Sequence, residues 1–178
     1  MRLVCCFFLL LFFSSEAISQ TQTEKITWRQ NHRLSWNDFK AEPKSRMPFS
    51  ANTNSGFSFG WGYADDSGLT YEVKANFYPL KSWVKPGSKS NYLLRHEQLH
   101  FDISELYARK LRAALDQYVP GRNLKRDLDR IYNQIEKGRQ QLQQRFDRET
   151  SHSQNKEAEE FWQQFIKEEL QKLSKFSS

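Results

Sequence analysis

Between Ser88 and Tyr118 the chain has neither glycine nor proline, and apolar residues recur at three- and four-residue spacing. The whole stretch therefore reads as one long helix around which the rest of the chain must be arranged. Ser88 or Ser90 can cap its start, and Pro120-Gly121 ends it. Inside it stands His96-Glu97-Gln98-Leu99-His100, a sequence of the form H-E-x-x-H. Two helical residues four apart project from one face, so the imidazoles can hold one metal ion. Glu97 beside them can then take a proton from water at that ion. At about 100° per residue His96, His100, Ile103, Tyr107 and Leu111 share one stripe, which turns the imidazoles toward the interior. The plain alternative is a surface helix with two partly exposed histidines beside a glutamate.

Two imidazoles are too few, because catalytic zinc takes three protein ligands and keeps a position for water. Cys5 and Cys6 are the only cysteines and lie in the N-terminal apolar run, so His, Asp or Glu must supply the third. Glu105 is on the same helix but turned to its opposite face, and is discarded. A short connection through Pro120 makes the next helix an antiparallel neighbour. Residues near 140 to 144 then lie opposite His100 and His96, and Asp147, Glu149 and His152 just beyond, while Glu136 falls a turn too low. His152 has the best ligand chemistry and sits in the helix break at 150–153, so it is the first choice. Glu149 follows, then Asp147 or His32; Asp147, if not a ligand, can orient a ligating imidazole from behind.

The first residues, MRLVCCFFLLLFFSSEAISQ, have one Arg, an apolar run from Leu3 to Phe13 and a small-residue cleavage site at Ala17-Ile18-Ser19. The run is too short for a membrane anchor, so 1–19 read as a secretory signal and 20–178 as one exported domain, secreted or periplasmic. A lipidated Cys would stand at the end of such a run, whereas Cys5 and Cys6 stand near its start. Both leave with the signal, so no disulfide supports the mature chain. The net charge is +6, and removing Arg2 and Glu16 leaves it unchanged. Basic and acidic residues are mixed along the C-terminal helices, as a solvated surface is, so no nucleic-acid partner is expected.

Residues 26–39 suggest a short strand and a turn leading into Trp36-Asn37-Asp38-Phe39, and Pro43 and Pro48 mark a loop. From Ser55 to Tyr63 Phe57, Phe59, Trp61 and Tyr63 alternate with Ser and Gly. Leu69, Tyr71, Val73, Ala75 and Phe77 repeat the pattern after the turn residues Asp65-Asp66-Ser67-Gly68. The pair predicts a β-hairpin whose aromatic face is buried under the helices. Two further helices are predicted from about Asn123 to Arg148 and from about Gln154 to Phe176. The fold class is therefore α+β: a small antiparallel sheet packed on the H-E-x-x-H helix and two further helices, a minimal zincin-like arrangement.

Leu34-Ser35-Trp36-Asn37-Asp38-Phe39, Ser82-Trp83-Val84, the block Arg95 to Ile103 with Glu105 to Lys110, and Phe146 to His152 together resemble a bacterial family. It is the one catalogued as domain of unknown function 922 and described as predicted secreted zinc-dependent proteases. The family typically has Tyr where Phe146 stands and Gly where Ser153 stands. The resemblance implies a zinc metallopeptidase acting on a peptide or protein. Zn²⁺ would be held by His96, His100 and His152, with Glu97 as general base. The open edge of the 55–77 hairpin is expected to receive an extended peptide as an added strand. Two rivals belong to other classes: a zinc-binding envelope protein or binding module without turnover, and an amidase acting on cell-wall peptides.

Overall fold

The computed structural model describes residues 24–66 and 68–178; the expected signal at 1–19 lies outside them. The described residues form five strands: β1 (Ile26–Thr27), β2 (Ala51–Asn52), β3 (Ser55–Ala64), β4 (Gly68–Phe77) and β5 (Trp83–Val84). Three α-helices follow: α1 (Asn91–Asp116), α2 (Leu124–Glu149) and α3 (Lys156–Lys172). The protein is α+β, small antiparallel sheets packed with three helices.

β1, β4 and β3 make one antiparallel sheet in that order, and β2 pairs with β5 in a second. The β3–β4 register sets Phe57 opposite Ala75 and Phe59 opposite Val73, so the alternating apolar residues share one face. Gly68, at φ +69°, takes the left-handed conformation that closes the hairpin. The aromatic face is buried along only half of its length. Phe57, Val73, Ala75 and Phe77 pack into the core, whereas Trp61 and Tyr63 near the turn are 38% and 53% exposed. The pairing of β2 with β5 was not expected, because two-residue strands leave no period to read.

Ser90 caps α1 by accepting a hydrogen bond from the Leu93 amide. The helix then runs through the middle of the molecule, with the sheet and α2 on one side and α3 on another. One apolar cluster joins Trp28, Phe57, Phe77, Phe101, Leu111 and Leu128. A second joins Leu99, Ile103 and Leu106 of α1 to Phe146, Trp162 and Ile166. With apolar neighbours on several sides, α1 also buries charged side chains, of which Asp102, Glu105, Arg109 and Arg112 are paired. Asp102 accepts hydrogen bonds from Trp28 Nε1 at 2.7 Å, Arg33 at 2.9 Å and Gln98 Nε2 at 2.9 Å, while Gln98 Oε1 accepts one from the Leu34 amide at 2.8 Å. These bonds fasten the N-terminal segment to α1. Beside the H-E-x-x-H turn, Thr53 Oγ1 donates to the Glu97 carbonyl and Ser55 Oγ to the His100 carbonyl, each at 3.2 Å, fixing residues 53–55 along the helix.

Candidate metal centre

The antiparallel return of α2 brings Gln143 and Asp147 onto the His100 and His96 turns of α1, about three residues further along than symmetry about Pro120 would give. His96 is 3% exposed, and Phe146 stacks on its ring with centroids 4.5 Å apart. Its Nδ1–H donates to Glu159 Oε1, a fully buried carboxylate supplied by α3. His100 Nδ1–H donates to Gln143 Oε1. The amide orientation is set by its other end, since Gln143 Nε2 donates to the His100 carbonyl at 2.7 Å. Both Nδ1 atoms therefore carry protons, which leaves both Nε2 lone pairs free.

Those two Nε2 atoms face each other at 3.3 Å. Asp147 Oδ1 lies 3.1 Å from His100 Nε2 and 3.5 Å from His96 Nε2. Two lone pairs and an anionic oxygen at such separations repel one another unless a cation lies among them. Three donors about 2.1 Å from one tetrahedral ion would stand about 3.4 Å apart, close to all three spacings. His96, His100 and Asp147 could thus hold a metal ion. In the metal-free state a proton does part of this work. Burial lowers the His96 pKa, but Asp147 and Glu159, with Glu97, outweigh it and raise it to about 9. Burial likewise raises the Asp147 carboxyl, and the His100 and His96 imidazoles more than reverse this, holding it well below the usual carboxylate range.

Glu97 is 2% exposed and lines the same cleft as His96, His100 and Asp147. Its Oε2 has no hydrogen-bond partner among the described residues. Burial pushes this carboxyl above the ordinary carboxylate range, against the pull of the His100 and His96 rings.

His152 lies beside this group: its Nδ1 is 3.4 Å from Asp147 Oδ1, and its ring stacks on Phe49 with centroids 5.5 Å apart. The three-donor group itself consists of the two helix histidines and Asp147. Glu149 is turned elsewhere, accepting from Arg145 Nε at 2.7 Å and Trp162 Nε1 at 3.0 Å. His32 is exposed in the N-terminal segment, and Glu136 pairs with Arg139. Glu105, discarded as a ligand, is buried and engages Arg109 and Arg112. Gln143 and Glu159 were not foreseen as parts of the site. Glu159 did leave a signal, since it continues the buried stripe of Trp162 and Ile166 on α3, where a solvated glutamate does not belong.

The helix break that carries His152 is unusual in its backbone. Ser151, His152 and Ser153 have φ of +50°, +51° and +68°, in the left-handed region that non-glycine residues avoid. A glycine at 153, typical of the family resembled, removes the Cβ that makes this conformation costly. Ser153→Gly is therefore expected to stabilise the protein by about 0.5–1 kcal/mol. Urea unfolding measures this, and an equal or lower midpoint would contradict it.

No curated protein and no solved structure matches this chain. One family does, over residues 26–153, which contain β1 through α2 with His96, Glu97, His100, Asp147 and His152; α3 and its Glu159 follow the matched region. With the greater part of its length matched, the chain belongs to the family described as "Bacterial protein of unknown function (DUF922)".

Proposed function

We propose that the protein is a zinc-dependent peptidase that works outside the cytoplasm, entered there by the N-terminal signal segment. The observation that carries this reading is the convergence of two Nε2 atoms and the Asp147 oxygen beside a buried, unpartnered Glu97 oxygen. Two nitrogens and one oxygen make a three-ligand set suited to catalytic zinc. When bound, the ion supplies Lewis acidity to a carbonyl and to the attacking water. Glu97 accepts the proton of that water and delivers it to the leaving amine, a task its burial-raised pKa suits. Glu159 and Gln143 hold the rings in the tautomer that leaves Nε2 free.

The strand beside the cleft is β2 with its flanks: Phe49 to Thr53 line it, whereas the long hairpin contributes Ser55 alone. An extended substrate is accordingly placed along residues 49–55 and not along the outer hairpin edge.

The test is Glu97→Gln in purified mature protein. Peptide hydrolysis is expected to be lost while about one zinc per chain is retained. Hydrolysis at the wild-type rate would overturn the assignment of Glu97. A rival reading has its own support, because two histidines and one carboxylate are also the ligand set of non-haem iron(II). Metal analysis returning iron in preference to zinc would favour that rival and remove the peptidase.

A further inference from the structure

Among the described residues, one lysine or arginine lines the metal cleft, and it is Arg139. It belongs to a series on α2, Arg139, Gln143 and Asp147, whose four-residue spacing sets all three on one face. Gln143 holds a ligand ring and Asp147 is in the donor group, so Arg139 extends the same working face toward the far end of the cleft. Eight residues at 1.5 Å each put its backbone about 12 Å from that of Asp147 along the helix axis.

The guanidinium is held in place. Its side chain is 13% exposed, and its Nε and one terminal nitrogen donate to Glu136 at 2.7 and 2.6 Å. The other terminal nitrogen donates to the Ser55 carbonyl at 3.3 Å. Five N–H groups are available to an arginine, so these three bonds leave two to spare. Glu136 neutralises the buried charge from outside the cleft lining, while Ser55 lies on the cleft wall. A planar, preorganised fork with donors left over suits a carboxylate better than any other peptide group.

We infer that Arg139 binds a carboxylate of the substrate about three to four residues from the bond cleaved. That span follows from about 3.3 Å per extended residue and the offset of about 12 Å, which the arginine does not shorten because its guanidinium is held by Glu136, on the side away from Asp147. The carboxylate can be a free C-terminus, which makes the enzyme trim chain ends, or an acidic side chain, which makes it cut within chains. The inference rests on the peptidase reading, because it takes the scissile bond to lie at the metal group.

Three peptidyl hydroxamates of equal length separate the cases without requiring turnover. One ends in a free carboxylate, one in a carboxamide, and one in a carboxamide but with an aspartate at the residue expected to reach Arg139. Binding to zinc-loaded protein is measured by calorimetry. One of the two anionic probes is expected to bind at least about tenfold more tightly than the neutral one, and Arg139→Gln to bring it down to the neutral level. Which of them gains tells chain-end from side-chain recognition. Equal binding of all three to the wild type overturns the inference, a result that needs no variant to fold. Preference that survives Arg139→Gln overturns it as well. Failure of every probe to bind zinc-loaded protein overturns the peptidase reading and the inference with it.

Discussion

Glu105→Ala is expected to destabilise the protein by about 3–5 kcal/mol, a large share of what a domain of this size possesses. Glu105 is fully buried, and its Oε1 accepts from Arg109 Nε at 2.9 Å and from Arg112 at 3.1 Å. One carboxylate thus balances two guanidinium groups. Each of these continues outward: Arg109 donates to the Leu170 carbonyl at 2.6 Å and the Ser177 hydroxyl at 2.8 Å. Arg112 donates to the Phe176 carbonyl at 2.7 Å and the Val73 carbonyl at 2.8 Å. Through them α1 holds both β4 and the C-terminal tail. Taking the carboxylate away leaves two buried cations without a counter-charge, which costs more than the lost bonds alone. The measurement is urea unfolding of metal-free protein, so that no bound metal masks the change. A loss below about 1 kcal/mol would mean the three charges are effectively solvated, as at an open surface.

The same network shows what the sequence makes legible. Glu105 is readable as a non-ligand because an unbroken helix must turn it away from His96 and His100, but its partners are not readable, since Phe176 and Val73 are remote in the chain. The long elements are recovered nearly to their ends. α1 begins after Ser90, and α2 runs over Leu124–Glu149, because glycine, proline and capping residues act locally. β2 and β5 escape because two-residue strands exist only through their pairing. The site divides along the same line. His96, Glu97 and His100 are fixed by spacing on one helix. Asp147 is among the candidates the loop gives, but ranking it ahead of His152 needs the offset between α1 and α2 to within a turn, and an estimate from the loop falls about three residues short. Glu159 depends on where α3 docks, which no local pattern specifies.

That offset brings Asp147 into the group that could hold a metal ion, and the largest effect on metal binding expected from the proposed function follows from it. Asp147→Ala is expected to lower zinc affinity by more than about 100-fold, beyond the 10- to 100-fold typical of residues that only orient a ligand. Asp147 Oδ1 lies within 3.5 Å of both imidazole Nε2 atoms. Glu159→Gln, which weakens the hydrogen bond at His96 Nδ1, should fall within the 10- to 100-fold range. His152→Ala should cost less than either, because its ring reaches Asp147 at 3.4 Å without joining the three-donor group. Competition with a zinc chelator gives the order. A larger loss for His152→Ala than for Asp147→Ala would make the histidine the ligand and the aspartate its orienting partner. The pH dependence gives an independent check on sign. In metal-free protein the His96 pKa is raised from 6.5 to about 9, so its pairing with the carboxylates stabilises the fold fully below pH 6.5 and fades as the pH rises through about 9. Zinc must displace that proton, so its affinity should rise over the same interval as the fold of the metal-free protein weakens. Asp147→Ala removes a principal cause of the raised pKa and should flatten both trends.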